Sequence, residues 1–428
     1  MKTDEHRATM TPLLPRGPLI IGLVSVFAAV MFFTAALAGF APSASASTQS
    51  AGSKITPTFP FGEPRPPAIT GTAAILIDMD SGRILYSRNA NARVPMASTT
   101  KIMTAIIALE SLELDATVTI SADVAATAGS RLWLEEGEVF TVEQLMYALL
   151  VSSANDAAVA LAEAAAGNVK AFVNEMNEKA QALGLANTHF VNPHGLNAKK
   201  HFSSARDLAT LAQYAMQDPV FRRIVRTREY TIPWAGQDTP RELENHNVLL
   251  GKQAWVTGVK TGSTPYAKYC LVASGTRDGV SLLSVLLGAA DDDLRWRETE
   301  ALLGYGFSLY PRTVLADKGE IVAELDVPDR LDRRVSLVAS RSLTVSLFNT
   351  DVVTSSVSVG RDVVLPVHAG DVFGAIDFTL DGKSLGSVSL VAAQSVDKVT
   401  IKMILECWRD LWPPKLGLGD YLQALPPH

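Results

Sequence analysis

The stretch Ser98–Leu112, STTKIMTAIIALESL, constrains the fold most. Its residues favour helix, and its start is apolar on nearly every side, so the helix must be enclosed by other elements rather than lie on a surface. Thr72–Arg88 holds two β-rich runs around Asp80-Ser81-Gly82, the pattern of a hairpin. Helical patterns follow around Val142–Ala165, Val169–Leu183 and Ala205–Gln217. Between Gln253 and Ala290 the chain returns to strands, WVTGVKTG, YCLVASGTRDG and VSLLSVLLGA, with a turn at Arg277-Asp278-Gly279, and Arg295–Phe307 reads as helix. Strand, helices, strands, helix predicts an α/β (α+β) domain over residues 69–312, with an antiparallel sheet packed against helices.

From Val314 to Ala393 the runs become short and alternating, with Asp381-Gly382 placed as a hairpin turn. This predicts a small all-β domain over residues 313–394. A helical pattern at Lys398–Trp412 then falls in a tail of residues 395–428 and has apolar and charged sides. At the other end, a basic start, an uncharged apolar run from Pro18 to about Phe40 and the small residues Ala44-Ser45-Ala46 predict a secretory signal peptide over residues 1–46. An uncleaved anchor is the other reading of a run that long, and either one exports the chain. Residues 47–68, rich in Ser, Thr, Pro and Gly, read as a linker. A length of 428 residues suits such a multi-domain chain.

A net charge of −6 argues against a nucleic-acid partner read through its phosphates. The two cysteines, Cys270 and Cys407, cannot build a disulfide scaffold or a thiolate zinc site, and the seven histidines form no His-Glu-x-x-His pattern. No metal and no cofactor are expected. Cys270 reads as a small apolar side chain, and His194 as a loop-packing residue.

Three short motifs carry the chemistry. Ser98-Thr99-Thr100-Lys101 opens the enclosed helix, where residues i and i+3 share a face, so the hydroxyl and the amine can meet. A serine needs an adjacent base, and a lysine can be one if burial or a neighbouring cation lowers its pKa. Ser153-Ala154-Asn155 lies at a helix–loop junction, where both polar side chains can face a cleft. Lys260-Thr261-Gly262 lies on a strand, and its glycine permits a ligand backbone to approach. Each alone also reads as something ordinary: a helix start, an N-cap, an edge-strand charge. Together, in this order and with serines at 98 and 153 and the lysine at 260, they match the motif set of penicillin-recognising serine acyl transferases.

With these motifs, the neighbourhoods GSRLWLEEGE (129–138), SSANDAAVALAE (152–163), FVNPHGLNAKKHFSSARDLA (190–209), NHNVLLGKQAWVTGVKTG (245–262) and YCLVASGTRDGVSLLSVLLGA (269–289) resemble the D-alanyl-D-alanine carboxypeptidases, the low-molecular-weight penicillin-binding proteins. The β domain and terminal helix resemble the rest of that family. The resemblance implies a penicillin-recognising serine transpeptidase/β-lactamase-like catalytic fold. It implies Ser98 as the acylated nucleophile, Lys101 as its base and Ser153 as a proton relay. Asn155 would bond the substrate peptide; Lys260, Thr261 and Arg295 would receive the terminal carboxylate, Arg297 being a neighbouring alternative to Arg295. The N–H groups of Ser98 and Ser263, the latter after Gly262, would form the oxyanion hole. The implied reaction removes the terminal D-alanine of a peptidoglycan stem peptide, with β-lactams as covalent inhibitors. The implied place is the extracytoplasmic face of the membrane, with the terminal helix either lying in the membrane interface as an anchor or packing on the β domain.

Two rivals share these motifs. A β-lactamase-like hydrolase needs a glutamate–asparagine pair for deacylation; Glu242 and Asn245 are of the right types but lie too near Lys260. A catalytically silent wall-binding protein would keep the fold without needing Ser98, Lys101 and Lys260 intact.

Overall fold

The computed structural model describes residues 53–58, 62, 64–234, 236–327, 330–360, 363–398 and 400–405. The expected signal peptide, and the expected terminal helix beyond residue 405, lie outside the described residues.

The larger, mixed α/β part is built on a five-stranded antiparallel sheet. Its strands are β1 (Ala73–Asp78), β2 (Ile84–Arg88), β3 (Val256–Thr264), β4 (Lys268–Arg277) and β5 (Val280–Ala289), in the order β2-β1-β5-β4-β3. Period-2 alternation sends successive residues to opposite faces. Ala73, Ile75, Val272, Leu283 and Val285 enter one apolar core, while Ala74, Leu76, Leu271, Leu282 and Leu286 enter the other. A sheet buried on both faces explains why these strands are apolar nearly throughout.

The first core holds α1 (Lys101–Ser111), α2 (Val142–Leu150), α3 (Asn155–Ala166), α4 (Val169–Ala182), α5 (Ala205–Ala215) and α6 (Pro219–Arg226). The second is covered by α7 (Asp292–Ser308), whose Trp296, Leu302, Leu303 and Phe307 pack on the sheet. α1 is buried at every position from Lys101 to Ala108, as its all-round apolar start requires. The helical region read over Val142–Ala165, with Ser153-Ala154-Asn155 placed at a helix–loop junction, is two helices that break at Ser153, whose φ of 59° lies in the left-handed region. Neither α6 nor the hairpin Glu229–Ile232 with Arg241–Glu244 is anticipated by the sequence reading.

The all-β part forms a six-stranded sheet ordered Lys54–Ile55, Val353–Val359, Val372–Leu380, Lys383–Ala392, Arg330–Ala339, Ile321–Val327. Lys54–Ile55 comes from the stretch read as a linker and pairs with Val353 and Thr354. Tyr310 O–H donates to Asp78 Oδ2, and Arg83 pairs with Asp351 at 3.2 Å while lying over the Phe348 ring. Among the described residues no helix is long and apolar enough to cross a membrane.

Candidate active site

Ser98 sits in a 3₁₀ turn, Ala97–Thr100, and Lys101 is the first residue of α1. In a 3₁₀ turn, side chains at i and i+3 eclipse, which brings Lys101 Nζ to 3.1 Å from Ser98 Oγ. The turn is tightly braced. Thr99 Oγ1 donates to Met96 O at 2.7 Å and Thr100 Oγ1 to Ala97 O at 2.8 Å. Val191 N–H donates to His201 Nδ1 at 3.0 Å, so the ring proton is on Nε2 and faces Thr100 Oγ1 at 2.9 Å. Burial lowers the His201 pKa to about 4, which keeps that arrangement neutral. Ala97 has a φ of 48°, and a Cβ on Gly195 would meet Ala97 O at 2.0 Å, so this approach requires glycine.

Lys101 is wholly buried. Besides Ser98 Oγ, its Nζ lies 2.7 Å from Asn155 Oδ1 and 2.8 Å from His194 O. Those two partners can only accept. A neutral amine has two N–H groups and one lone pair, so it satisfies both carbonyls and still offers the lone pair to the serine hydroxyl. Burial first, and the nearby Lys260 second, hold the Lys101 pKa well below an ordinary lysine's.

Asn155 opens α3, whose N-cap is Ala154 with no side-chain capping bond, so the Ser-Ala-Asn motif is not a helix cap. Asn155 Nδ2 donates to Ala128 O at 2.8 Å and its backbone N–H to Ser130 O at 2.7 Å. The next residue, buried Asp156, accepts from Leu132 N at 2.9 Å and Leu134 N at 3.2 Å. One short polar pair thus fixes the amine and the wall segment 128–134. Ser153 is buried beside them but makes no hydrogen bond to Ser98 or Lys101 among the described residues.

β3 brings the third motif. A Cβ on Gly262 would lie 2.9 Å from Ser98 N, so the strand runs against the backbone of Ser98. Ser263 follows Gly262 and is exposed. Lys260 is 2% exposed, with Nζ donating to Thr261 O at 3.2 Å; Thr261 is buried beside it. Burial, then Arg295, bring the Lys260 pKa down to about 7. Arg295 lies buried on α7, with Nη1 3.5 Å from Gly262 O, Nη2 on Asp292 and, among the described residues, no hydrogen-bond partner for its buried Nε. Arg297 is exposed and paired with Asp293. The structure therefore joins Ser98, Lys101 and Asn155 directly and brings Lys260, Gly262 and Arg295 to the same cleft.

Two contributors escape sequence reasoning. His194 acts through its backbone carbonyl, which no side-chain pattern encodes; the signal available was Gly195 beside it. His246 lies within electrostatic reach of Lys260, Arg295 and Lys101, and burial with that cationic company lowers its pKa to about 4. The Glu–Asn pair weighed for a β-lactamase is absent as a site: Glu242 is exposed, and Asn245 Nδ2 donates to Thr227 O at 2.8 Å and Val225 O at 3.3 Å. Among the described residues no group of His, Cys, Asp and Glu could hold a metal ion.

The arrangement can deprotonate a hydroxyl with an amine kept neutral by burial and, second, by a nearby cation, and can receive an anion beside that cation. Comparison with known proteins gives a concordant result. The family described as D-alanyl-D-alanine carboxypeptidase matches residues 62–291, and the family described as penicillin-binding protein 5, C-terminal domain matches residues 310–398. The chain is 32% identical to D-alanyl-D-alanine carboxypeptidase DacF of Bacillus subtilis over 76% of this chain and 86% of that one. It is 34% identical to DacA of Escherichia coli over 78% of this chain and 85% of that one. Penicillin-binding protein 5 from Haemophilus influenzae superposes with a TM-score of 0.55 at 31% identity, covering 78% of this chain and 99% of that one.

Proposed function

The chain belongs to the D-alanyl-D-alanine carboxypeptidase family and is a serine D-Ala-D-Ala carboxypeptidase of peptidoglycan metabolism; from that premise we propose how its residues divide the work. The observation that carries the proposal is the fully buried Lys101 amine 3.1 Å from Ser98 Oγ. Neutral Lys101 takes the Ser98 proton as the oxygen attacks the carbonyl between the two terminal D-alanines. The N–H groups of Ser98 and Ser263 stabilise the oxyanion, a task for which Gly262 supplies the close approach. Ser153 passes a proton to the departing D-alanine amine. Water then attacks the ester, with Lys101 again as the base, and releases the shortened stem. Asn155 holds Lys101 in place and faces the substrate peptide. Lys260, Thr261 and Arg295 receive the terminal carboxylate, for which the buried Arg295 Nε is a waiting donor.

In the same reading residues 69–312 form the catalytic domain and 313–394 the β domain. Residues 1–46 export the chain, and 395–428 hold it at the outer membrane surface. β-Lactams, which carry a carboxylate beside a strained amide, acylate Ser98 and stay. The test is D-alanine release from a stem pentapeptide. Wild-type protein releases it and Ser98→Ala does not; equal release by both would overturn the proposal.

A further inference from the structure

The wall segment beside Asn155 carries two side chains that the reaction above does not use. Trp133 is 65% exposed, and its backbone φ of 57° is one that bulky residues avoid. It is nonetheless firmly held. The flanking N–H groups of Leu132 and Leu134 donate to Asp156, and Trp133 O accepts from Arg241 Nη2 at 3.2 Å. Arg241 is itself buried and donates through both terminal nitrogens to Glu138, at 2.9 Å each. Folding alone gives no reason to pin an indole outward in a disfavoured conformation. Against this ring lies Arg131, with its guanidinium carbon 3.6 Å from the ring centroid and one N–H donating to Thr127 O at 3.1 Å. A guanidinium stacked on an aromatic face keeps its other donors in its own plane, ready for a carboxylate.

The position fits a substrate. Arg131 follows Ser130, whose carbonyl takes the Asn155 N–H, and Gly129 passes so close that a Cβ would lie 2.6 Å from Asn155 Nδ2. An extended peptide rises roughly 3.3 Å per residue, so groups about two to four residues before the scissile bond lie roughly 7–13 Å from the reacting carbonyl and extend past the groups that hold Asn155. Glu135 and Glu136, exposed just beyond the indole, repel an anion placed further along.

We propose that Arg131, seated on Trp133, forms a specificity subsite for a carboxylate borne by the stem peptide upstream of the scissile bond. The proposal rests on the reading that this cleft takes D-Ala-D-Ala-terminated stems, and deepens it.

The experiment compares two stem pentapeptides that differ only in a free carboxylate or a carboxamide on an upstream residue, with each protein's active fraction counted by penicillin titration. Wild-type protein prefers the carboxylate by about tenfold in kcat/KM, and the preference resides in KM. Arg131→Gln brings the ratio close to one, Arg131→Lys leaves it intermediate, and Trp133→Ala lowers it although the arginine remains. A wild-type ratio near one, or the same ratio in wild type and Arg131→Gln, overturns the subsite. Release of D-alanine from neither peptide overturns the underlying reading of the cleft, and the subsite with it.

Discussion

In the C-terminal β domain, Leu315, Val335, Leu337, Phe378, Val388 and Leu390 close an apolar core, and Ser355 is the only buried polar residue among those described beyond residue 310. The catalytic domain buries Lys101, Lys260, Asn155, Asp156, Arg241 and Arg295. Burying a charge is unfavourable unless it is paired or neutralised. Arg241 is paired with Glu138, whereas burial first, and then a neighbouring cation (Lys260 for Lys101, Arg295 for Lys260), lowers the proton affinity of the two lysines. One domain thus closes on an almost wholly apolar core, and the other keeps buried cations together at one corner, where depressed lysine pKa values suit the proposed chemistry.

The sharpest way to break this contrast is to remove its centre. Lys101→Met lowers kcat/KM by about a thousandfold or more, the scale of a lost general base. Its melting temperature stays within about 4 °C of wild type, because the lost hydrogen bonds are offset by relief of a buried amine. A large fall in melting temperature would show that Lys101 is structural. In the β domain the balance reverses. Phe378, wholly buried, becomes a cavity in Phe378→Ala, which costs about 3–5 kcal/mol of that domain's stability. Penicillin acylation of the folded protein is unchanged, as stopped-flow quenching of protein fluorescence can check.

Lys260 gives a pH signature. Its folded pKa of about 7 is below its unfolded value near 10.5, so between those values the unfolded chain holds more protons and stability rises with pH. The penalty is complete below about pH 7 and gone near pH 10.5. Lys260→Met therefore gains stability at pH 6 and little at pH 10, a difference that denaturant titrations at about those two pH values read directly. In the wild type, loss of the Lys260 charge also raises KM as pH climbs through about 7, while protonation of Lys101 lowers kcat/KM on the acid side. The smallest effect belongs to Arg297→Ala. Exposed and paired with Asp293 at the surface, Arg297 contributes within about 0.5 kcal/mol and does not alter KM, unlike Arg295→Ala, which raises it.

Much of the catalytic geometry was legible because it is local. Ser98 and Lys101 meet through i, i+3 spacing, and the sheet that carries Lys260 is marked by apolar runs such as AAILID and VSLLSVLLGA, which suit strands buried on both faces. The less legible parts depend on backbone groups or on very short elements. His194 contributes a carbonyl. The Lys54–Ile55 edge strand is two residues long and shows no alternation to read. Asn155 was read for the substrate alone, since nothing along the chain reveals that its carboxamide reaches Lys101. The β domain, with its short alternating runs and the Asp381-Gly382 turn, was legible as a class but not in its strand order.

The central claim is that a buried neutral amine activates Ser98. Mass spectrometry of peptides after brief exposure to benzylpenicillin, repeated from about pH 5 to 9, tests it most directly. The account predicts one covalent adduct, on the peptide bearing Ser98, formed more slowly at the acid end and absent from Ser98→Ala and Lys101→Met. An adduct on another side chain, or one that forms at the wild-type rate in Lys101→Met, would contradict it.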